Sequence, residues 1–249
     1  MSTDVFNRQE IKYMVTDDIC RKFMRRMGND MVIDEHNKNG SSYHICNIYY
    51  DTPQHEIIRK SIDRPEYKEK LRLRSYGMAG LEDKVYLEMK KKFNGWVSKR
   101  RTGILLEDAY RYIETKEKPS LKHFMNTQVL GEIDYFIQSY PLYPMLFLSY
   151  DRYAYYGVED KSFRITFDTN IRSRRSDVRL DCKEYGELLL PPGMWIMEAK
   201  AEEAVPLWFA KLLSAECLYT LSFSKYGTEY KKDILGIDVH KKDSILKLA

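Results

Sequence analysis

The sequence predicts an α+β fold, a large antiparallel sheet accompanied by a few helices, and three observations predict it. Apolar and polar residues alternate with period two in seven separate segments, the pattern of strands with two unlike faces. The 20 tyrosines and 10 phenylalanines favour strands. Asn94-Gly95 lies between VYLEMKKKF and WVSKRRTGIL, the strongest short hairpin signal there is. No internal repeat, low-complexity tract or Gly/Ser linker divides the 249 residues, so a single domain over 1–249 with a helical insertion at about 107–140 is expected.

The elements follow in order. FNRQEIKYMV (6–15) reads as a strand, and TDDICRKFMRRMG as a helix with Thr16 as N-cap and Gly28 as stop. SSYHICNIYYD (41–51) and KEKLRLRSYG (68–77) are strands around a short helix from Pro53 to Ser61. After the hairpin the pattern is helical from Glu107 to Tyr140, where Pro141 ends it. MLFLSYDRYAYYG, KSFRITFDTNIRS and MWIMEAK return to strand, and VPLWFAKLLSAE is an amphipathic helix from Pro206. In it Trp208, Phe209, Leu212 and Leu213 form a packing face. SFSKYGTEYKK reads as a last strand or a strand-to-helix junction, and VHKKDSILKLA as a short amphipathic tail.

The net charge is +4, from 41 basic and 37 acidic residues, so no general nucleic-acid surface is indicated and any polyanion site must come from arrangement. The N-terminal segment lacks an apolar signal core, and no apolar run approaches the ~18 residues of a membrane span. A soluble, cytoplasmic protein is expected, monomeric or weakly oligomeric. Cys20, Cys46, Cys182 and Cys217 are scattered without a C-x-x-C pair, which signals neither a zinc site nor a disulfide framework.

The polar strand faces are unusual. They group Arg8, Glu10 and Lys12; Lys70, Arg72, Arg74 and Tyr76; Tyr86, Glu88, Lys90 and Lys92; Val97, Lys99 and Arg101; Tyr150, Arg152 and Ala154; Arg164, Thr166 and Asp168; Glu198 and Lys200. A solvated outer sheet face explains any one of these. Together they concentrate Arg and Lys where like charges on neighbouring strands repel. The alternative is a barrel turned inside out, with apolar faces outward beneath helices and charged faces converging on a wet interior. Cations there need bound anions or the few carboxylates as partners. Each Arg or Lys contact to phosphate is worth roughly 1.5–3 kcal/mol, so a linear oligoanion would engage many at once.

The motifs FNRQEIKYMV, YYDT, KLRLRSYG, VYLEMKKK, GWVSKRR, SYDRYAY, FRITFDTNI, IMEAK and SFSKYG, in that order, resemble the polyphosphate polymerase domain of the vacuolar transporter chaperone (VTC) family, in a small stand-alone bacterial-type form. That domain belongs to the triphosphate tunnel metalloenzymes, relatives of the CYTH proteins. The resemblance implies an eight-stranded antiparallel β-barrel tunnel with helices on its outside. Its activity would be transfer of the γ-phosphoryl group of ATP to a growing polyphosphate chain, with Mn²⁺ or Mg²⁺ as cofactor. Carried over by motif, Arg72, Arg74, Lys90, Arg164, Glu198 and Lys200 would be catalytic. Arg8, Lys12, Lys99, Arg101, Arg152 and Lys225 would bind substrate. Glu198 would hold the metal, joined by Glu88 or Glu10, for which a salt bridge to a neighbouring Lys or Arg is an equal reading. Asp168 reads as a partner that orients an arginine.

Where CYTH proteins open with Glu-x-Glu-x-Lys, this chain has Arg8-Gln9-Glu10-Ile11-Lys12, which argues against triphosphatase or cyclase chemistry. No Ser-His-Asp or Cys-His arrangement is visible, and of the five histidines only His44 is placed to share a basic face. Transfer between ionised phosphates needs positioning and charge more than a general base. Two alternatives stand beside the polymerase: a non-catalytic polyphosphate- or phosphate-binding module, and a tunnel triphosphatase. The expected partners are ATP and inorganic polyphosphate, without nucleic acid; a membrane partner protein would not be visible in this chain. RSRRSDVR (172–179) reads either as an anion-attracting loop at the tunnel mouth or as a solvated loop.

Overall fold

The computed structural model describes residues 9–37, 40–63, 65–94, 96–202 and 204–237. Eight long strands form one antiparallel path: β1 (Gln9–Thr16), β10 (Met194–Ala201), β8 (Arg164–Arg174), β7 (Tyr143–Gly157), β3 (Tyr43–Asp51), β4 (Tyr67–Tyr76), β5 (Lys84–Phe93) and β6 (Trp96–Leu105). Two short strands lie off it, β2 (Met31–Ile33) on β7 and β9 (Glu187–Leu188) on β8. β5 and β6 pair from Phe93↔Trp96 onward, and Asn94 adopts φ +45°, the left-handed conformation a two-residue hairpin requires.

Six α-helices accompany the sheet: α1 (Asp17–Arg26), α2 (Glu56–Ile62), α3 (Leu106–Thr115), α4 (Thr127–Ser139), α5 (Leu207–Ala215) and α6 (Lys225–Asp233). The Thr16 hydroxyl caps α1 as expected, and a 3₁₀ turn at Met27–Asn29 finishes it. Helices α3 and α4 cover Leu71, Leu73, Leu87 and Met89, the odd-numbered faces of β4 and β5. Helices α1 and α5 cover Tyr13, Phe167, Met197 and Ala199. Phe209 is fully buried there, with Trp208, Leu212 and Leu213 packed beside it. The apolar faces thus point outward beneath helices, and the basic faces turn to the other side.

The structure corrects four of the sequence expectations. The sheet is curved but not closed: among the described residues no ladder joins β1 to β6. The two ends of the path approach through side chains, Lys90 Nζ of β5 reaching Glu10 Oε2 of β1 at 3.8 Å. The helical stretch 107–140 is two helices, broken at Lys116, which caps α3 in the left-handed conformation ahead of Pro119. Of the two readings of SFSKYGTEYKK the strand fails while the entry into a helix holds: Ser224 accepts a hydrogen bond from the Gly227 N–H and starts α6. Finally, α6 lies on the concave side of the sheet rather than outside it. Its Tyr226 ring sits 5.1 Å from that of Tyr49 and its hydroxyl donates to Asp51 Oδ2 at 2.9 Å.

Arg8, His240 and the 239–249 tail lie outside the described residues. Among the described residues no helix is long and apolar enough to cross a membrane. All four cysteines are unpaired.

Candidate functional site

The curved sheet and α6 enclose a hollow of about 1880 Å³, into which every long strand except β3 projects at least one cation. Fourteen lysines and arginines line it against five carboxylates. A chain with a net charge of only +4 has therefore gathered its excess cations on one surface. Lys12, Arg72, Arg74, Lys90, Lys99, Arg101, Arg152, Arg164, Glu198, Lys200, Lys225, Glu10 and Glu88 all line this hollow.

The carboxylates divide the cations into groups. Glu88 is 1% exposed and faces Arg72 across β4–β5 and Arg101 across β5–β6. Arg72 donates to it at 2.6–2.7 Å, Lys99 Nζ approaches at 3.2 Å and Arg74 Nε at 3.8 Å. Burial alone would raise its pKa, but these three cations hold it far below the ordinary carboxylate range. Asp168, fully buried, binds Arg152 through both oxygens (2.6 and 2.8 Å) and Lys225 Nζ at 2.5 Å. It is an arginine-orienting group, and it also ties α6 to β8. Arg164 is held by Asp34 at 3.2 Å and stacks on Tyr156 at 4.8 Å.

The third group lies along β1 and β10, beside the seam. Lys12 Nζ lies 2.9 Å from Glu10 and 3.6 Å from Glu198; Lys200 Nζ lies 2.7 Å from Glu198 and 3.8 Å from Glu10. The registers Lys12↔Glu198 and Glu10↔Lys200 make this lattice a property of the β1–β10 ladder. Burial would raise the Glu198 pKa, but Lys200, Lys12 and Arg152 hold it well below the ordinary value.

One row of cations is neutralised only in part, with Lys90 3.8 Å from Glu10 and Lys99 3.2 Å from Glu88. Lys70, Lys90 and Lys99 are direct cross-strand neighbours on β4, β5 and β6. Among the described residues no carboxylate pairs with Lys70, whose ammonium instead lies 5.9 Å from the Tyr226 ring. Burial, with Lys68 and Lys90 nearby, lowers its pKa to about 7. Burial also lowers Lys99 to about 7 despite Glu88. Lys70 belongs to the alternation read in the sequence but not to the residues carried over by motif. The phenols of Tyr49 and Tyr150, which accept from Arg72 and Arg74 at 3.3 Å, were likewise visible only as strand aromatics.

Two other sequence readings end differently. His44 projects from the opposite face of β3, where Asp151 and Glu184 each approach a ring nitrogen at 2.8 Å, because Tyr43, Ile45 and Tyr49 take the inward alternation. RSRRSDVR is neither an anion trap nor a solvated loop. Arg174 is buried between Phe147 and Tyr185 and donates to three backbone carbonyls, Arg175 is paired with Glu229, and Arg179 is paired with Asp181.

The donor set bears on a divalent metal. Among the described residues no three His, Cys, Asp or Glu side chains converge. Mg²⁺-type sites, however, use one or two carboxylates plus phosphate oxygens and water. Glu10 and Glu198, bridged by the same two ammonium groups, fit that description. Glu88 lies apart from that pair, with Arg72 on one oxygen and Lys99 Nζ 3.2 Å from the other.

Fold and hollow together define a strand-built, cation-lined cavity on one side of a curved antiparallel sheet. The VTC domain family model matches residues 7–233, and the chain belongs to that family. It is 23% identical over 221 residues to vacuolar transporter chaperone complex subunit 4 of Trypanosoma cruzi, covering 74% of this chain and 27% of that protein. To the subunit of the same name in Schizosaccharomyces pombe it is 25% identical over 151 residues, 53% of this chain and 21% of that one. The chain thus spans about a quarter of the length of these relatives. A crystal structure of a putative adenylate cyclase from Bacillus halodurans shares the fold, with a TM-score of 0.53 and 15% identity over 90% of this chain and 96% of that one.

Proposed function

We propose that the chain is a polyphosphate polymerase that moves the γ-phosphoryl group of ATP onto the end of an inorganic polyphosphate chain held in the basic hollow. The observation that carries this reading is the continuous cationic lining, fourteen cations to five carboxylates, with Lys70 lacking any carboxylate partner among the described residues. Such a surface is expensive without a ligand, and a linear polyphosphate supplies regularly spaced charge along it. In the proposed reaction a terminal phosphate oxygen attacks Pγ, the bond from Pγ to the bridging oxygen breaks, and ADP leaves with the electron pair. The attacking oxygen is already largely ionised at neutral pH, so no proton must be removed. This agrees with a hollow whose lining contains a single histidine, His36 at its rim.

The residues of this chain would act by position and charge. Arg72 and Arg74 are fixed by Glu88 and Asn47, and Arg152 and Lys225 by Asp168, so their donors are preorganised toward phosphate. Lys12, Lys90, Lys99, Lys200, Arg101 and Arg164 would share the remaining phosphate charge. Mn²⁺ or Mg²⁺ would be held by Glu198 and Glu10 and would neutralise charge on the triphosphate.

The salt bridges on Glu10 and Glu198 also favour a second reading, a polyphosphate-binding module without turnover. Incubation with ATP, Mn²⁺ and a short polyphosphate primer separates the readings. Lengthening of the primer with ADP release supports the polymerase. Free phosphate without polymer points to a triphosphatase, and tight polyphosphate binding without either product to the binding module.

A further inference from the structure

Five of the amines that line the hollow are tied to carboxylates: Lys12, Lys90, Lys99, Lys200 and Lys225. Lys70 pairs with none among the described residues. It projects into the same space from β4, with Lys68 and Arg72 two residues away on its own face and Lys90 directly across the ladder on β5. Two carboxylates on the flanking strands are committed elsewhere. Asp51 on β3 accepts from the Thr52, Ile57 and Ile58 N–H groups and from the Tyr226 hydroxyl, and Glu88 on β5 accepts from Arg72. The Lys70 nitrogen instead has the Tyr226 ring 5.9 Å away.

An amine in this setting resists protonation, because a further positive charge would be poorly solvated and would face Lys68, Lys90 and Lys12. Burial and those neighbours bring its pKa to about 7, so at pH 8 about nine-tenths of it is the neutral, nucleophilic form, against well under one-hundredth for an ordinary lysine. A low-pKa nucleophile is intrinsically the weaker one, which offsets part of that gain. The surrounding cations add a second effect: they concentrate phosphate-bearing molecules beside the amine and stabilise a departing phosphate. Lys99 is the competing amine, since burial lowers it to about 7 as well, but Glu88 lies 3.2 Å from its nitrogen and repels an incoming phosphate. The proposed phosphoryl transfer gives the Lys70 nitrogen no bond to make.

We infer that Lys70 is a site of N-acylation by acyl phosphates, small electrophiles that join an activated carbonyl to a phosphate. The neutral nitrogen attacks the carbonyl carbon and a C–N bond forms; the bond from that carbon to the bridging oxygen breaks, and inorganic phosphate leaves with the electron pair. The extra proton on nitrogen passes to water, and an uncharged amide remains. The product removes one cation from the row Lys70, Lys90 and Lys99, so an acylated hollow holds a polyanion less tightly, and a bound polyanion in turn shields the amine. The reaction needs the cationic lining but no turnover of ATP, which makes it independent of the polymerase reading.

The test is incubation of the protein with acetyl phosphate at pH 8, with acetylation at each lysine counted by peptide mass spectrometry. Lys70 should react about tenfold faster than Lys91, its neighbour on the outer face of β5, and faster than Lys99. Its rate should level off above about pH 8, while that of Lys91 keeps rising toward pH 10. With acetic anhydride, which carries no phosphate, the preference for Lys70 should shrink about threefold. Excess tripolyphosphate should slow Lys70 about tenfold and leave Lys91 unchanged. Lys70 reacting no faster than Lys91, Lys99 reacting first, a Lys70 rate that climbs in parallel with that of Lys91 to pH 10, or an undiminished preference with acetic anhydride would overturn the acylation site. A fast Lys70 that tripolyphosphate does not protect would uphold the site and count against the hollow as a polyphosphate receptor, so the two failures are told apart.

Discussion

The lysine row Lys70–Lys90–Lys99 makes the strongest quantitative prediction. Burial and neighbouring ammonium groups bring Lys70 to about 7, and burial does the same to Lys99. At pH 8 a lysine with a pKa near 7 is only about one-tenth charged. A bound polyanion restores the charged form, so each of the two should take up nearly one proton on binding at that pH. Lys99, with a side chain 44% exposed, will contribute less than Lys70. The affinity for tripolyphosphate should therefore fall by about ten- to a hundredfold per pH unit above pH 8, less whatever the ligand gains by losing its own last proton. Calorimetry in two buffers of different ionisation enthalpy counts the protons directly, and between one and two are expected at pH 8. Lys70→Gln should remove close to one of them. Linkage also sets the sign for the ligand-free protein. The folded pKa lies below the unfolded value of 10.5, so the unfolded chain binds more protons between pH 7 and 10.5 and stability rises with pH across that window. Lys70→Met should consequently raise the melting temperature of the free protein while weakening its grip on tripolyphosphate. Zero proton uptake with a pH-flat affinity, or a Lys70→Met variant of lowered melting temperature and unchanged affinity, would refute the reasoning.

Three further outcomes follow from other groups. Glu198→Gln should lower metal-dependent turnover by about 10- to 100-fold while retaining tripolyphosphate binding, measured by primer extension beside calorimetry; unchanged turnover would remove Glu198 from the metal site. Asp168→Asn releases Arg152 and Lys225 together and should raise the apparent KM for ATP roughly tenfold, with α6 becoming more accessible to hydrogen exchange. Arg175→Met leaves the fully buried Glu229 without its partner and should cost about 3–5 kcal/mol, seen as a fall of about 6–20 °C in melting temperature. Burial already raises Glu229 to about 7, so in wild type its contribution to stability falls as pH rises from about 4.5 to 7.

Much of this was legible in local sequence, because a strand's two faces are written at alternate positions. Leu71 and Leu73 against Arg72 and Arg74 separate core from hollow without any tertiary information, and the Asn94-Gly95 turn fixes which strands are neighbours. What stayed hidden depends on contacts far apart in the chain. Arg174 reads as one more cation of a basic loop, and only the approach of Phe147 and Tyr185 makes it structural. Tyr226 and Tyr230 read equally well as strand or helix. The Ser224 cap, the Tyr226 bond to Asp51 and the Lys225 bond to Asp168 decide for a helix that fills one end of the hollow. His36 and Asp34 sit in a loop with no periodicity, so neither the Asp34 grip on Arg164 nor the approach of the His36 ring to that of Tyr76 had a local signal.

The open seam and the site arise from the same charge. Closing β1 onto β6 would bury Lys12, Lys90, Lys99 and Lys200 nearer one another with Glu10, Glu88 and Glu198 between them, and each extra unpaired cation costs several kcal/mol to desolvate. Backbone hydrogen bonds gained at the seam contribute only about 0.5–1.5 kcal/mol each, so the few that a short ladder would add do not offset that penalty. The ends of the path are instead linked by a side-chain contact, Lys90 of β5 with Glu10 of β1 at 3.8 Å. An anion lying between the halves changes this balance, because it partners cations from both edges at once. On the proposed reading, the charge that keeps the sheet from completing itself is also what would hold a polyanion in the fold.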